Sequence, residues 1–353
     1  MNRQTPDTPT DFSRTQAPRE DWMALAEPEE ALEPDLPIID THIHLWHHAT
    51  GYRYFVPELA ADIAESGHNV VGTVYVECNS MHRADGPAHL RPVGEVEFAL
   101  GQGAIADSHK YTTARIAAGI VANADLSLGE RLPELLDAEI AAANGRLSGI
   151  RFRAKWDADP VVKGAVSADG PGLYRDATFQ AGLREVARRG LAFDASIYHP
   201  QIPDVAALAR AVPEAEIVLI HTGSPVGHSS YRGKEAQVLA DFRRDMQDLA
   251  TCPNVKVKLG GMLMTLAAYD FGQAERPIGS EALADLWRPY IETSIELFGA
   301  DRCMVSSNFP VERAGFTYGT NWNMFKRLTA GASDDEKRLL YADTARQVYK
   351  LSL

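Results

Sequence analysis

Residues 179–198, FQAGLREVARRGLAFDASIY, hold the repeating unit of the chain: an amphipathic stretch over 179–189, Gly190, then an apolar run over 191–198. The first part reads as a helix ended by a left-handed glycine, the second as the strand that follows. The same unit recurs on both sides. Further strand-like runs lie at 37–42, 69–77, 114–122, 149–155, 216–221, 255–259 and 303–307, with helix-period segments such as 132–144 and 283–298 between them, several closed by Gly67, Gly145 or Gly299. Eight βα units without an internal break predict an α/β protein of the closed (β/α)8 type, a TIM barrel, over residues 36–353. No glycine-rich GxGxxG follows the first strand, which argues against an open dinucleotide-binding sheet.

Residues 1–35 differ in texture. They carry five prolines, nine acids and three basic residues, with apolar side chains only around Trp22, Met23 and Leu25. This is an N-terminal extension, either flexible or wrapped on the body through the Trp22 patch. The whole chain has 353 residues, 45% hydrophobic and 24% charged, with a formal charge of −13. That acidity offers nucleic acid no counterion-release term, so no nucleic-acid partner is expected. No stretch approaches the ~20 apolar residues of a membrane span, and the N-terminus lacks a secretory core, so the expectation is a cytoplasmic protein without a membrane partner. Cys78, Cys252 and Cys303 form no CxxC pair and read as buried thiols.

Barrels of this kind do their chemistry at the C-terminal ends of the strands. The first strand ends Asp40-Thr41-His42-Ile43-His44, and period-two alternation puts both imidazoles on one side. Two neutral imidazoles so placed can hold one divalent metal or polarise one carbonyl. His199 follows Tyr198 at the end of strand 5, and His221 ends strand 6. Glu77 ends strand 2. Strand 8 ends Ser306-Ser307-Asn308-Phe309-Pro310, with Glu312 just beyond. Tyr52, Tyr54 and Phe55, after strand 1, are placed either to cover the mouth or to pack the loop. No Gly-x-Ser-x-Gly elbow is present, which argues against a serine hydrolase.

Strands 4 and 7 alternate apolar with basic residues, directing Arg151, Arg153, Lys155, Lys256 and Lys258 into the lumen. An anion is expected between them. The deeper Arg151 and Lys256 are open to pairing with Asp40, Glu77 or Asp194. Arg153, Lys155 and Lys258 read as the group that grips a substrate carboxylate.

The DTHIHLW opening at residue 40, the IHTG of strand 6 and the SNFPV of strand 8 resemble the amidohydrolase-related (amidohydrolase 2) family. This is the superfamily branch that contains the 2-pyrone-4,6-dicarboxylate, 4-sulfomuconolactone and fuconolactone lactonases. The resemblance runs from Leu36 to about Tyr349. It implies a (β/α)8 barrel with a hydrolytic mouth, acting on small cyclic esters that often carry carboxylates. Position by position, His42 and His44 match the strand 1 pair, His221 the strand 6 histidine and, less closely, His199 that of strand 5. Where most members place a metal-binding aspartate that takes a proton from water, this chain has Asn308, and an amide cannot be a general base.

The resulting expectation is a lactonase or related ester hydrolase. His42, His44 and His221 would polarise the carbonyl, either holding one zinc or manganese ion or without metal, since the branch includes both forms. Glu77 or Glu312 would activate water beside Asn308. Arg153, Lys155 and Lys258, with Tyr198 and His199, would bind a small anionic substrate. A homodimer is compatible with the family. Two alternatives stay open: a decarboxylase or hydratase on the same framework, and a binding relative that lost catalysis with the aspartate.

Overall fold

The computed structural model describes residues 17–163, 168–263, 265–266 and 274–353. Among them, eight strands form one parallel sheet in sequence order: β1 (Ile38–Ile43), β2 (Val70–Val76), β3 (Arg115–Asn123), β4 (Leu147–Arg153), β5 (Ala192–Ser196), β6 (Ile217–Leu219), β7 (Val255–Leu259) and β8 (Cys303–Val305). A helix follows each strand: α1 (Val56–Ser66), α2 (Val93–Asp107), α3 (Leu132–Ala143), α4 (Ala177–Arg188), α5 (Ile202–Ala211), α6 (Glu235–Ala250), α7 (Ser280–Phe298) and α8 (Tyr318–Leu328). The sheet curls until its ends meet. Asn308 N–H donates to the His42 carbonyl at 2.9 Å, His44 N–H to the Phe309 carbonyl at 2.8 Å, and the Thr41 hydroxyl to the Val305 carbonyl at 2.8 Å. The (β/α)8 expectation holds.

Strand alternation sorts the side chains. Ile150, Phe193, Ala195, Ile217, Val255, Val257 and Leu259 face the helices and join the main core. Val121, Ala192, Val218 and Met304 belong to a second cluster, completed by Ala345, Val348, Tyr349 and Leu351 from the end of the chain. The C-terminal segment therefore packs into one end of the barrel, and strand glycines admit it: a Cβ on Gly119 would stand 2.7 Å from Leu351 Cδ2.

β6 and β8 are shorter than predicted because the chain leaves extended geometry at their ends. His221, Thr222 and Asn308 have φ of +53°, +51° and +56°. Non-glycine residues visit that region rarely, at a cost of order 1–3 kcal/mol each, and such positions gather where a site demands them.

Residues 17–35 lie against the barrel. Trp22 and Met23 are buried, and Leu32 N–H donates to Asn323 Oδ1 on α8 at 2.9 Å. Residues 1–16 of the extension lie outside the described residues. No described helix is long and apolar enough to cross a membrane. Tyr52 and Tyr54 are buried, with Tyr54 donating to Asp62 at 2.5 Å, so these two pack the first loop.

Candidate active site

His42 and His44 leave β1 side by side with His221 from the end of β6. The His42 ring centroid lies 4.9 Å from that of His44 and 4.4 Å from that of His221. Hydrogen bonds fix two of the tautomers. His44 Nδ1 is 2.7 Å from the Val76 carbonyl, which only accepts, so Nδ1 carries the proton and Nε2 the lone pair. Arg151 Nη1 is 3.3 Å from His42 Nε2, and a guanidinium only donates. His42 therefore carries its proton on Nδ1, a buried atom with no partner among the described residues. All three rings are neutral. Burial lowers their pKa values first, and neighbouring positive charges lower them further, His44 to about 3.

His221 sits where it does because of a glycine. Gly261 has φ +68°, and a Cβ there would fall 2.0 Å from His221 Nδ1. The imidazole packs directly on that backbone.

Glu77 has a different part from the one expected. Its Oε1 is 2.7 Å from Arg151 Nε and its Oε2 is 3.3 Å from Arg153 Nη2, with the carboxylate buried. Burial alone would raise its pKa, but the two arginines and Asn123 outweigh it and hold the carboxyl at about 2. So weak a base cannot draw a proton from water; Glu77 is the counter-ion that fixes both arginines.

Lys258 is likewise displaced from its expected role. Alternation does turn it inward, yet its Nζ is buried, 2.7 Å from Asp194 Oδ2 and 4.7 Å from the Tyr349 ring centroid, and Tyr349 donates to Asp194 Oδ1 at 2.7 Å. This cluster joins the lumen to the C-terminal plug and does not offer a cation to the mouth. Lys256 pairs with Glu216 at 3.7 Å. Among the described residues Asp40 pairs with no lumen cation. It accepts from Ser307 N–H (2.9 Å), the Ser307 hydroxyl (2.5 Å), Tyr318 (2.9 Å) and His42 N–H (3.2 Å), and burial raises its pKa to about 6 against those bonds. It thereby braces the junction of β1 and β8.

Asn308 and Glu312 form one unit beside the β1 histidines. Asn308 Nδ2 donates to Glu312 Oε1 at 3.0 Å and Leu263 N–H to Oε2 at 3.2 Å. Burial pushes the Glu312 carboxyl up to about 8 despite these bonds and the pull of Lys155. Lys155 is also the leading charge on His221, and its Nζ lies 5.1 Å from the Tyr198 ring. Its charge acts on both His221 and Glu312.

His199 and Tyr198 are built into the loops above. His199 Nδ1 accepts from Val226 N–H at 3.2 Å and its ring meets Tyr231 edge-on at 5.2 Å. Burial lowers its pKa to about 4. Tyr198 packs with Val162 and Val226. A cavity of about 1110 Å³ opens beside Arg153, with Asn79, Asn123, Ser127 and Phe152 among its walls. Residues 264 and 267–273, in the segment after β7, lie outside the described residues.

A divalent ion does not fit these donors as arranged. Arg151 occupies the His42 Nε2 lone pair, two arginines neutralise Glu77, and Asn308 and Glu312 are bonded to each other. Among the described residues no three His, Cys, Asp or Glu side chains converge on a common point with ligand geometry. The three cysteines are free thiols.

A parallel (β/α)8 barrel with histidines and paired charges at the C-terminal mouth has the layout of a barrel enzyme. The chain belongs to the amidohydrolase family, whose profile matches residues 39–351. It is 31% identical over 331 residues to the uncharacterized protein y4mH of Sinorhizobium fredii, covering 90% of this chain and 99% of that one. It is 28% identical over 239 residues to the L-fucono-1,5-lactonase of Burkholderia multivorans, covering 67% of this chain and 73% of that one. An amidohydrolase from B. multivorans, solved with bound zinc, shares the fold with a TM-score of 0.68 at 22% identity, over 89% of this chain and 99% of that one. The resemblance to the lactonase branch stands.

Three positioning features escaped the sequence: Gly261 beneath His221, the Asp40–Ser307–Tyr318 brace, and Tyr349 in the lumen. Only Gly261 had a local signal, the Gly260-Gly261 pair directly after strand 7.

Proposed function

We propose that this protein is a lactonase that opens the ring ester of a small anionic metabolite. The observation that carries this reading is the trio of neutral imidazoles tied through Asn308 to the buried Glu312 carboxyl, which burial pushes up to about 8. The similarity to an L-fucono-1,5-lactonase supports it.

In its carboxylate form, Glu312 takes a proton from water as the water oxygen attacks the lactone carbonyl. The N–H that His42 keeps on Nδ1 and the Lys155 ammonium meet the negative charge that grows on the carbonyl oxygen. The tetrahedral centre collapses, the carbon–oxygen bond of the ring breaks, and the ring oxygen takes the proton from Glu312 to leave as a hydroxyl. The product is one hydroxy acid; its carboxyl ionises, so one proton is released per turnover and all carbon is retained. Asn308 orients Glu312 through its amide and takes no proton itself. Arg153, which lines the neighbouring cavity, holds the substrate carboxylate. No step is routed through a divalent ion, because Arg151 would first have to release His42 Nε2.

A pH-stat assay over carboxylated lactones and sugar lactones, with carbon dioxide monitored in parallel, tests the reading. Proton release without carbon dioxide is expected, lost in His42→Ala while the fold persists. Carbon dioxide release would replace hydrolysis with decarboxylation, and undiminished turnover in His42→Ala would remove the histidines from the mechanism.

A further inference from the structure

We infer that residues 19–29 form a positioning strap for the active site, with Glu20 and Trp22 as positioning residues for the turn that carries Glu312. The inference rests on the reading of Glu312 as proton carrier.

The strap touches the mouth in two places. The first is the exit of the segment between β7 and α7. Trp22, only 6% exposed, donates its indole N–H to the Ala274 carbonyl at 2.9 Å; Glu27 pairs with Arg276; and Glu29 accepts from Ser280 N–H at 2.7 Å and from the Ser280 hydroxyl. Trp22 thereby anchors the strap on the barrel. The second place is the turn after β8. Glu20 receives Arg313 Nη1 at 2.5 Å and Nη2 at 3.2 Å, and Arg313 Nε lies 3.4 Å from Asp62 on α1.

Glu312 and Arg313 are neighbours on that single turn, closed by Glu312 N–H to the Asn308 carbonyl (3.3 Å) and Gly315 N–H to the Glu312 carbonyl (2.9 Å). One points to the site and the other to the strap. The Glu20 side chain is 67% exposed, so its ion pair adds little stability. What it supplies is a fixed angle for the turn. The far end of the strap is held separately, by Lys326 Nζ donating to the Leu32 and Glu33 carbonyls at 2.7 Å each. Loss of the mouth contacts therefore frees the turn without detaching the strap.

Glu312 is faced by Lys155 from the end of β4, by Asn308 from the end of β8 and by the Leu263 amide from the β7 side. Of these only Lys155 is charged. Water admitted by a loosened turn would let the carboxyl ionise more easily and move the pH dependence of turnover downward.

The experiment uses the full chain with Trp22→Ala and Glu20→Gln, and Glu33→Gln, which breaks the Lys337 pair at the far end, as control. It reads kcat, KM, the pH profile and hydrogen exchange at the Leu263 and Gly315 amides. We expect kcat to fall and exchange at both amides to accelerate by about tenfold in Trp22→Ala and by about threefold in Glu20→Gln, with the pH profile shifted downward in both. The control should match the native protein. Native exchange at Leu263 and Gly315 in both mouth variants overturns the strap. If Trp22→Ala does not fold, Trp22→Phe decides, since it keeps a buried ring and removes only the N–H to Ala274. Accelerated exchange without any lactone turnover in the native chain would sink the lactonase reading and leave the strap; turnover with unmoved exchange would do the reverse.

Discussion

Arg151 Nη1 stands 3.3 Å from His42 Nε2 while its Nε, 2.7 Å from Glu77 Oε1, is anchored to β2, so one guanidinium ties the strand 1 histidine to a fixed carboxylate. Arg151→Met removes both contacts and leaves Glu77 with Arg153 and Asn123. Breaking a buried pair of this kind costs about 3–5 kcal/mol, to be read by chemical denaturation. Arg151→Lys keeps the charge but not the fork, and kcat should fall by about tenfold or more. Nitrogen NMR of the His42 ring checks the cause: the variant should lose the clean Nδ1–H tautomer.

Glu312→Gln keeps the shape of the neutral acid and removes the proton acceptor. Turnover should fall by about a hundredfold or more. In the native enzyme it should rise with pH as the carboxyl ionises around 8. Stability moves the other way. The folded-state pKa lies above the ordinary 4.5, so the folded chain retains a proton that the unfolded chain has released. This contribution is fully present below about pH 4.5 and is lost as pH rises through about 8. Denaturation at about pH 6 and about pH 9 should therefore show the native protein losing more stability than Glu312→Gln.

Asn308→Asp sets a second carboxyl at 3.0 Å from Glu312 Oε1, where an amide now donates. Two such groups share one proton, which raises one pKa further. Activity should drop at neutral pH and the rising limb of the pH profile should move up. Activity gained from an inactive parent would instead favour a binding relative whose catalysis was lost with the acid.

Gly261→Ala tests the seat of His221. The added Cβ would fall 2.0 Å from Nδ1, at a φ of +68° that alanine resists, so the ring must move. Turnover should be lost to about the level of a His221→Ala variant, with the barrel still folded by circular dichroism. Native turnover would show that the imidazole is not held by this contact.

What the sequence discloses follows its periodicities. The βα alternation placed each barrel strand to within a few residues, and period two turned Arg151, Arg153 and Lys258 inward, as found. Direction is local, but depth is not. Lys258 points inward yet is captured by Asp194 and by Tyr349, which arrives from the far end of the chain. Glu77 and Glu312 looked alike as candidate bases; their opposite pKa shifts depend on which buried carboxyl meets a guanidinium, a property of contacts between strands. Asp40 escaped because its partners Ser307 and Tyr318 are more than 260 residues away. The metal expectation rested on donor types; the Arg151 contact that disfavours it is visible only in three dimensions.

The two main-chain bonds that shut the ring, Asn308 to His42 and His44 to Phe309, run through residues of the candidate active site. Sealing the cylinder and arming it are thus a single event. On the proposed function, turnover recovered on refolding should therefore track closure of the ring between β1 and β8.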